Sequence, residues 1–477
     1  MIRLAAAPAP RRFSPLGEWA ALSSDGRLVL AIALIVLLDP YLPQFGPLAG
    51  RVRADSFLLP LVALWMLVRD AMSGRLTLIR PLALYVAFIA WLLAVTVATL
   101  GYPPKGFSPA PLVAIVAGTE NYLRPLFLLL IATKSRTTRE DLVVLTRVMV
   151  VLAIPLCAIA FLQLYPPTAS QTNDIIYRLF SNERQGERTA QLFANVIGGG
   201  RVQSIFGQPG TFGQFCIFIV GLHLAQWLGR LRLISRELYL TSFALALLGG
   251  VFSGSKVFFG GIIMLGVFLP LMTPLVRRVA TPKSVLLLLL FVLGLGVVGK
   301  LMLEDHAIRR VTSSFSVAKA WETYSAGRFN TIEPGGRFKR LDPKVIRSGA
   351  LDVIRAYPAT GLGLKVVNRT VDSFWIGLLA MTGVVGTILY GVFLLAVLAR
   401  LYVRSGRGGD PVAAPLARQL IFLTLIFAAA ALGFHTFIQD RAGDIYWIFV
   451  GVLCAPVGRA ARVRLRARRV PDLAGAV

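Results

Sequence analysis

Apolar stretches close to the length that crosses a bilayer, about 20 residues at 1.5 Å each, alternate with short polar connections along most of the chain. They fall at 28–46, 54–69, 82–101, 112–132, 142–165, 204–227, 238–254, 257–275, 284–303, 371–399, 416–437 and 443–457. The pattern predicts an all-α polytopic membrane protein with about twelve transmembrane helices. Two polar segments, 166–203 and 304–370, are too long for simple turns. The organisation expected is an N-terminal tail over 1–27, helices 1–9 over 28–303 with an external loop at 166–203, a large loop over 304–370, helices 10–12 over 371–457 and a basic tail over 458–477.

Charge fixes the orientation. One set of connections collects Arg3, Arg11, Arg12, Arg27, Arg69, Arg75, Arg80, Lys134, Arg136, Arg230, Arg232, Arg236, Arg277, Arg278, Arg400, Arg404 and the Arg-rich end. The short loops on the other side carry only Arg51, Arg53, Lys105, Lys256 and Arg441. Cytoplasmic loops accumulate Lys and Arg, so both termini are expected inside. The N-terminal stretch MIRLAAAPAPRRFSPLGEWA lacks a long apolar core after its first charges and reads as a tail, not a signal peptide.

Composition agrees with this reading. The 477 residues are 56% hydrophobic, and mean hydropathy is +0.71, above soluble globular values. The formal charge of +27, from 50 Lys and Arg against 23 Asp and Glu, would suggest nucleic acid in a soluble chain. Here topology accounts for it, and no nucleic-acid partner is expected. Cys157, Cys216 and Cys454 sit in apolar runs without metal-ligand spacing, so neither a disulfide framework nor a zinc site is expected.

The large loop departs from the charge rule. Arg309, Arg310, Lys319, Arg328, Arg337, Lys339, Arg340, Lys344, Arg347, Arg355, Lys365 and Arg369 lie on the expected external side. Long loops translocate despite such charge. The basic residues then serve either a surface attracted to anionic headgroups or a site for an anionic ligand. Within the loop, SGALDVIRAYP sets Leu351, Ile354 and Tyr357 at helical spacing, which predicts a short surface helix ended by Pro358. GLGL follows, where Gly361 and Gly363 permit a turn back towards the membrane.

Several short segments could carry chemistry. RVQSIFGQPGTFGQF places Arg201, Ser204, Gln208 and Pro209 at a helix start, and FSGSK places Ser253, Ser255 and Lys256 between two spans. Glycines and proline are common in membrane helices, and a boundary lysine often only snorkels to the interface. Glu120 and Arg124 stand four apart in one span and read as a structural ion pair. Asp372 precedes an apolar span, as a helix cap or as a base facing a pocket. His435, Asp440, Arg441 and Asp444 cluster between the last two spans; His223 and His306 join no recognisable site. No P-loop, Rossmann fingerprint, HExxH, GxSxG or paired-carboxylate metal motif is present.

In order, these segments resemble the O-antigen polymerase and O-antigen ligase superfamily of bacterial inner-membrane glycosyltransferases. RVQSIFGQPGTFG is similar to that family's Arg-x-x-(Gly/Ser)-x-Phe-x-x-Pro segment, and SGSK to its Ser-x-Ser-Arg, with Lys256 for the arginine. GGRFKRLDPKVIRSGALDVIRAYPATGLG is similar to its Gly-Arg, outer-face helix and Pro-x-x-Gly-x-Gly, and VDSFWIGLLAMTGVVG to its (His/Asp)-Asn-x-(Tyr/Phe) segment with trailing glycines. Together they cover about residues 200 to 390.

The resemblance implies a metal-independent enzyme without a cofactor that transfers glycan from an undecaprenyl-diphosphate-linked oligosaccharide at the periplasmic face of the inner membrane. It implies Arg201, Arg337 and Lys256 as first candidates for the diphosphate, with Arg328 and Arg347 behind them. Arg201 and Arg337 would stabilise the leaving group and Asp372 would be the base. Gln208, Ser255, His435 and Asp440 would line the pocket or meet the acceptor. Asp372 stands where ligases have His, and Ser373 where the family has Asn. The first departure favours a polymerase of O-antigen or exopolysaccharide repeat units over a ligase. Membrane lipid, a chain-length regulator and a flippase are the implied partners. A transporter or flippase, or a non-catalytic assembly scaffold, are the readings from other classes; no internal repeat supports transport.

Overall fold

The computed structural model describes residues 14–39, 53–74, 78–100, 112–180, 202–272, 350–365, 373–406, 410–438 and 441–456. Within them the chain is all-helical, with no β-strand. In chain order the helices are α1 (Pro15–Ala21), α2 (Ser24–Leu38), α3 (Asp55–Met72), α4 (Arg80–Leu100), α5 (Leu112–Lys134), α6 (Arg139–Leu162) and α7 (Pro166–Phe180). They continue with α8 (Pro209–Leu228), α9 (Arg236–Phe252), α10 (Lys256–Met272), α11 (Ala350–Ala356), α12 (Phe374–Arg404), α13 (Ala413–Ala430) and α14 (Ala442–Cys454). By length and composition five described segments suit a bilayer: Arg80–Thr99, Arg139–Leu162, Pro209–Leu228, Phe374–Arg404 and Ala413–Ala430. This is a helical membrane protein. The span expected at 284–303 and the loop up to residue 349 lie outside the described residues.

Short polar side chains start several of these helices. Ser23 accepts from Gly26 N–H at 2.9 Å, Thr138 and Asp141 form a reciprocal capping box, and Ser235 caps α9, each supplying an acceptor to an otherwise unpaired first-turn donor. Part of the segment expected as a tail over 1–27 is ordered structure. α1 is tied to α6 by Glu18 and Arg147 at 2.8 Å, and α2 already begins at Ser24. Asp141 also accepts from the backbone N–H and the hydroxyl of Ser23 at 2.8 and 2.6 Å, clasping α2 to α6.

The core is organised around α14. All its 13 residues are buried, and it packs along α5 and beside α2, α12 and α8. Next to it, Tyr85, Phe88, Tyr390, Phe393, Phe437 and Trp447 form a contiguous aromatic cluster joining α4, α12 and the turn before α14.

α12 is not one helix. Gly383 has φ 62° and ψ −169°, a conformation open essentially only to glycine. In a straight helix Phe374 and Tyr390 would stand roughly 24 Å apart, yet their ring centroids are 5.2 Å apart. The chain therefore folds back at Gly383. A first arm, 374–382, leads into a second, 384–404, which alone is long enough, at about 30 Å, to cross a bilayer.

Such a break exposes backbone donors and acceptors that lipid cannot satisfy. The segment after α11 fills it. Val384 and Val385 donate to the carbonyls of Pro358 and Ala359 at 2.9 and 3.3 Å, Leu362 N–H donates to the Ala380 carbonyl at 3.1 Å, and the Trp91 indole donates to the Thr382 carbonyl at 2.9 Å. Gly361, at φ 67°, lies so close to Met381 that a Cβ would stand 2.5 Å from its carbonyl carbon. Thr96 accepts from Leu364 N–H and Thr99 donates to the Leu362 carbonyl. Residues 358–364 thus form a wedge between α4 and α12. The helix expected to lie on the surface is Ala350–Ala356, but Val353, Leu362 and Leu364 are buried: closing the break requires the following backbone to enter the bundle.

Candidate functional site

Four separate stretches meet at one end of the bundle. The first is 202–214. Val202 N–H donates to the Phe252 carbonyl at 3.2 Å, a 3-10 turn occupies Ser204–Phe206, and Gln208 then stands at the N-cap of α8. Its side chain does not cap the helix. Helix N-termini of this kind favour negative charge.

The second stretch is 253–256. Ser253 and Ser255 are buried; the Ser255 hydroxyl donates to the Gly210 carbonyl at 3.4 Å, and Ser255 N–H to the Ser253 hydroxyl at 3.2 Å. A Cβ on Gly213 would overlap the Ser255 side chain and stand 2.8 Å from the Ser253 hydroxyl, which explains a glycine here. Lys256 is exposed in the first turn of α10.

The third stretch, 431–438, links α13 towards α14. Phe434 lies against Gly210, where a Cβ would be 2.7 Å from two ring atoms. The buried Gln214 amide donates to the Thr436 carbonyl at 2.7 Å, and the Thr436 hydroxyl to the Phe427 carbonyl at 2.8 Å. The fourth stretch begins at Ser373, whose hydroxyl accepts from Ile376 N–H. Phe374 N–H donates to the Ala431 carbonyl at 2.9 Å, and its ring centroid is 6.4 Å from that of His435.

Of the residues singled out in the sequence, Gln208, Ser255, Lys256 and His435 are thus carried by stretches that meet at this end. Arg201, Arg328, Arg337, Arg347, Asp372 and Asp440 lie outside the described residues, although Arg201 directly precedes the first stretch and Asp372 the fourth. Among the described residues no group of three or more His, Cys, Asp and Glu is placed to hold a metal ion.

Two supporting features escaped the sequence reading. Gln163, at the end of α6, accepts from the N–H groups of Gln203 and Ser204 at 3.1 and 2.8 Å and donates to Asn173 of α7 at 2.9 Å. One buried amide therefore fixes the start of the first stretch; only the tertiary contact reveals it.

The second feature is an ion network beneath the third stretch. Arg124 pairs with Asp55 and, through Nε, with both carboxylate oxygens of Asp444 at 2.9 Å. Glu120, the expected partner, is farther away at 3.8 Å, is half exposed and accepts from Ser56. Helical spacing brings Glu120 near, but the buried carboxylates at the starts of α3 and α14 make the closer contacts. Compared with known proteins, the chain matches no family model and no curated relative.

Proposed function

We propose that the protein is a glycosyltransferase that joins polyprenyl-diphosphate-linked oligosaccharide repeat units into O-antigen or exopolysaccharide at the periplasmic face of a bacterial inner membrane, within a bundle of about twelve helices with both termini inside. The observation that carries this reading is the meeting of the four stretches at one end, around a helix start without a side-chain cap and beside Lys256.

The chemistry asks for such an arrangement. An acceptor hydroxyl attacks the anomeric carbon as the bond to the phosphate oxygen breaks, and the electron pair leaves with the diphosphate. Fixed positive charge aimed at that leaving group lowers the barrier. The first turn of α8, Lys256, Arg201 and Arg337 supply it in this proposal, with Arg328 and Arg347 next along the loop. Asp372 takes the hydroxyl proton. Gln208, Ser255, His435 and Asp440 bound the acceptor side.

The test is complementation of a deletion strain with Lys256→Ala, Arg201→Ala, Arg337→Ala and Asp372→Asn variants at matched membrane abundance, reading lipid-linked intermediates and finished polysaccharide. Single repeat units accumulating on the carrier outside the cell, with long chains lost, are expected. Long carrier-linked chains that never reach a lipid acceptor would make the protein a ligase. Intermediates held on the cytoplasmic face would refute transfer in favour of a flippase.

A further inference from the structure

Buried charge is costly in a membrane bundle, and an ion pair kept only to hold helices together could be replaced by apolar packing without loss. Arg124 is 5% exposed in the middle of α5, yet it clamps carboxylates from two other helices. Asp55 opens α3, and its N–H donates to the Asp39 carboxylate at 3.1 Å. Asp444 lies in the first turn of α14, where its Oδ2 also accepts from Arg441 N–H at 2.8 Å.

Arg441 is the link to the site. Its φ is 64°, unusual for a residue with a side chain. Its guanidinium donates to the Asp39 carbonyl at 3.1 Å and lies 5.3 Å from the centroid of the Phe180 ring. Phe180 in turn lies beside Gly207, one residue before Gln208. Upstream, the turn holding Thr436 and His435 is bonded to Gln214 and, by the Phe437 carbonyl, to the Trp447 indole at 2.7 Å.

We propose that Arg124 is a positioning residue for the proposed transfer reaction: by fixing the Asp444 carboxylate it holds the start of α14, and through Gly443 and Trp447 the 435–438 turn and so His435, in register with the start of α8. This rests on the function proposed above. The arrangement needs a planar group with two separate donors, because one guanidinium meets both oxygens of Asp444 through Nε while reaching Asp55 through Nη2. A lysine keeps the charge but not that geometry.

The test is Arg124→Lys in purified, lipid-reconstituted protein, with two readouts. The first is transfer kinetics with a synthetic prenyl-diphosphate oligosaccharide, for which kcat should fall about tenfold while KM stays within about twofold. The second does not depend on activity. In a His435→Cys background, labelling by a charged thiol reagent should accelerate about fivefold when Arg124 becomes Lys; Cys157, Cys216 and Cys454 are buried and give little background. If Arg124→Lys does not accumulate, Asp444→Asn, which retains an acceptor for Arg441 N–H, is tested the same way. Unchanged labelling, or kcat within twofold of the parent, overturns the proposal. If the parent transfers no glycan, the function above fails and a positioning role in transfer fails with it; the labelling rate then still decides whether Arg124 holds the turn.

Discussion

Gly383→Ala tests the fold-back of α12. With φ 62° and ψ −169°, an alanine carries about 1–3 kcal/mol of backbone strain. Its Cβ would overlap the Ala359 carbonyl and the Thr360 amide nitrogen. These are backbone atoms of the wedge, so relief requires the wedge to withdraw. Withdrawal would break the bonds from Val384, Val385 and Leu362, each costing about 1–3 kcal/mol when a buried group is left unpaired. Together these come to about 4–12 kcal/mol, or on the order of 4–12 °C in melting temperature for a chain this long. Gly377→Ala and Gly391→Ala are matched controls in the same helix, since a Cβ at either meets nothing within 4 Å; each should be neutral or up to about 1 kcal/mol stabilising. The assay is the fraction of detergent-purified protein remaining monodisperse after heating. A Gly383→Ala protein melting within about 2 °C of both controls, against about 4 °C or more expected from the strain and the lost bonds together, would refute the account of the break.

Further outcomes follow from other contacts. Gln163→Leu removes the acceptor for Gln203 and Ser204 N–H, should cost about 2–4 kcal/mol, and should speed protease cleavage between α7 and α8 in intact membranes. Gly210→Ala pushes a methyl into the Phe434 ring and, under the proposed function, should reduce polysaccharide yield more than membrane abundance; equal losses would point to a folding defect instead. On α7, Ile175 and Leu179 are exposed on a face roughly 100° around the helix from the buried Ala169, Asn173 and Ile176, as in a helix lying on a bilayer surface. An environment-sensitive probe on Ile175→Cys should be quenched by shallow lipid-borne quenchers, and one on Asp174→Cys much less.

How far the sequence carries depends on the range of the interaction. Helices α3 to α6 and α8 to α10 lie within a few residues of the apolar runs, because length and hydropathy are local properties. The fold-back at Gly383 was hidden because LLAMTGVVGTIL reads as one uninterrupted apolar run; its evidence lies in bonds to Pro358 and Ala359, more than 20 residues earlier. The glycines of PATGLG signalled a turn, but not that the turn would close a helix break. Arg124 shows the same limit from the opposite side. A spacing rule selects Glu120 from its own helix, while Asp55 and Asp444 become partners only once three helices have assembled. At the site, Gln208, Ser255, Lys256 and His435 were legible from polar residues at span boundaries; Gln163 was not, because its partners are backbone amides.

The length of α14 bears on the depth at which any chemistry would occur. Thirteen residues make a helix about 20 Å long, roughly 10 Å short of a hydrocarbon core. At its end the Cys454 carbonyl accepts from Arg400 at 3.2 Å, in the part of α12 that also carries Arg404, so this end lies near a charged boundary and the missing length falls at the Ala442 end. That is where the 431–438 turn, the start of α8 and Ser373 come together. Irregular backbone at such a depth persists only where protein or water satisfies it, and here Phe374, Gln214 and Trp447 bind the carbonyls of Ala431, Thr436 and Phe437.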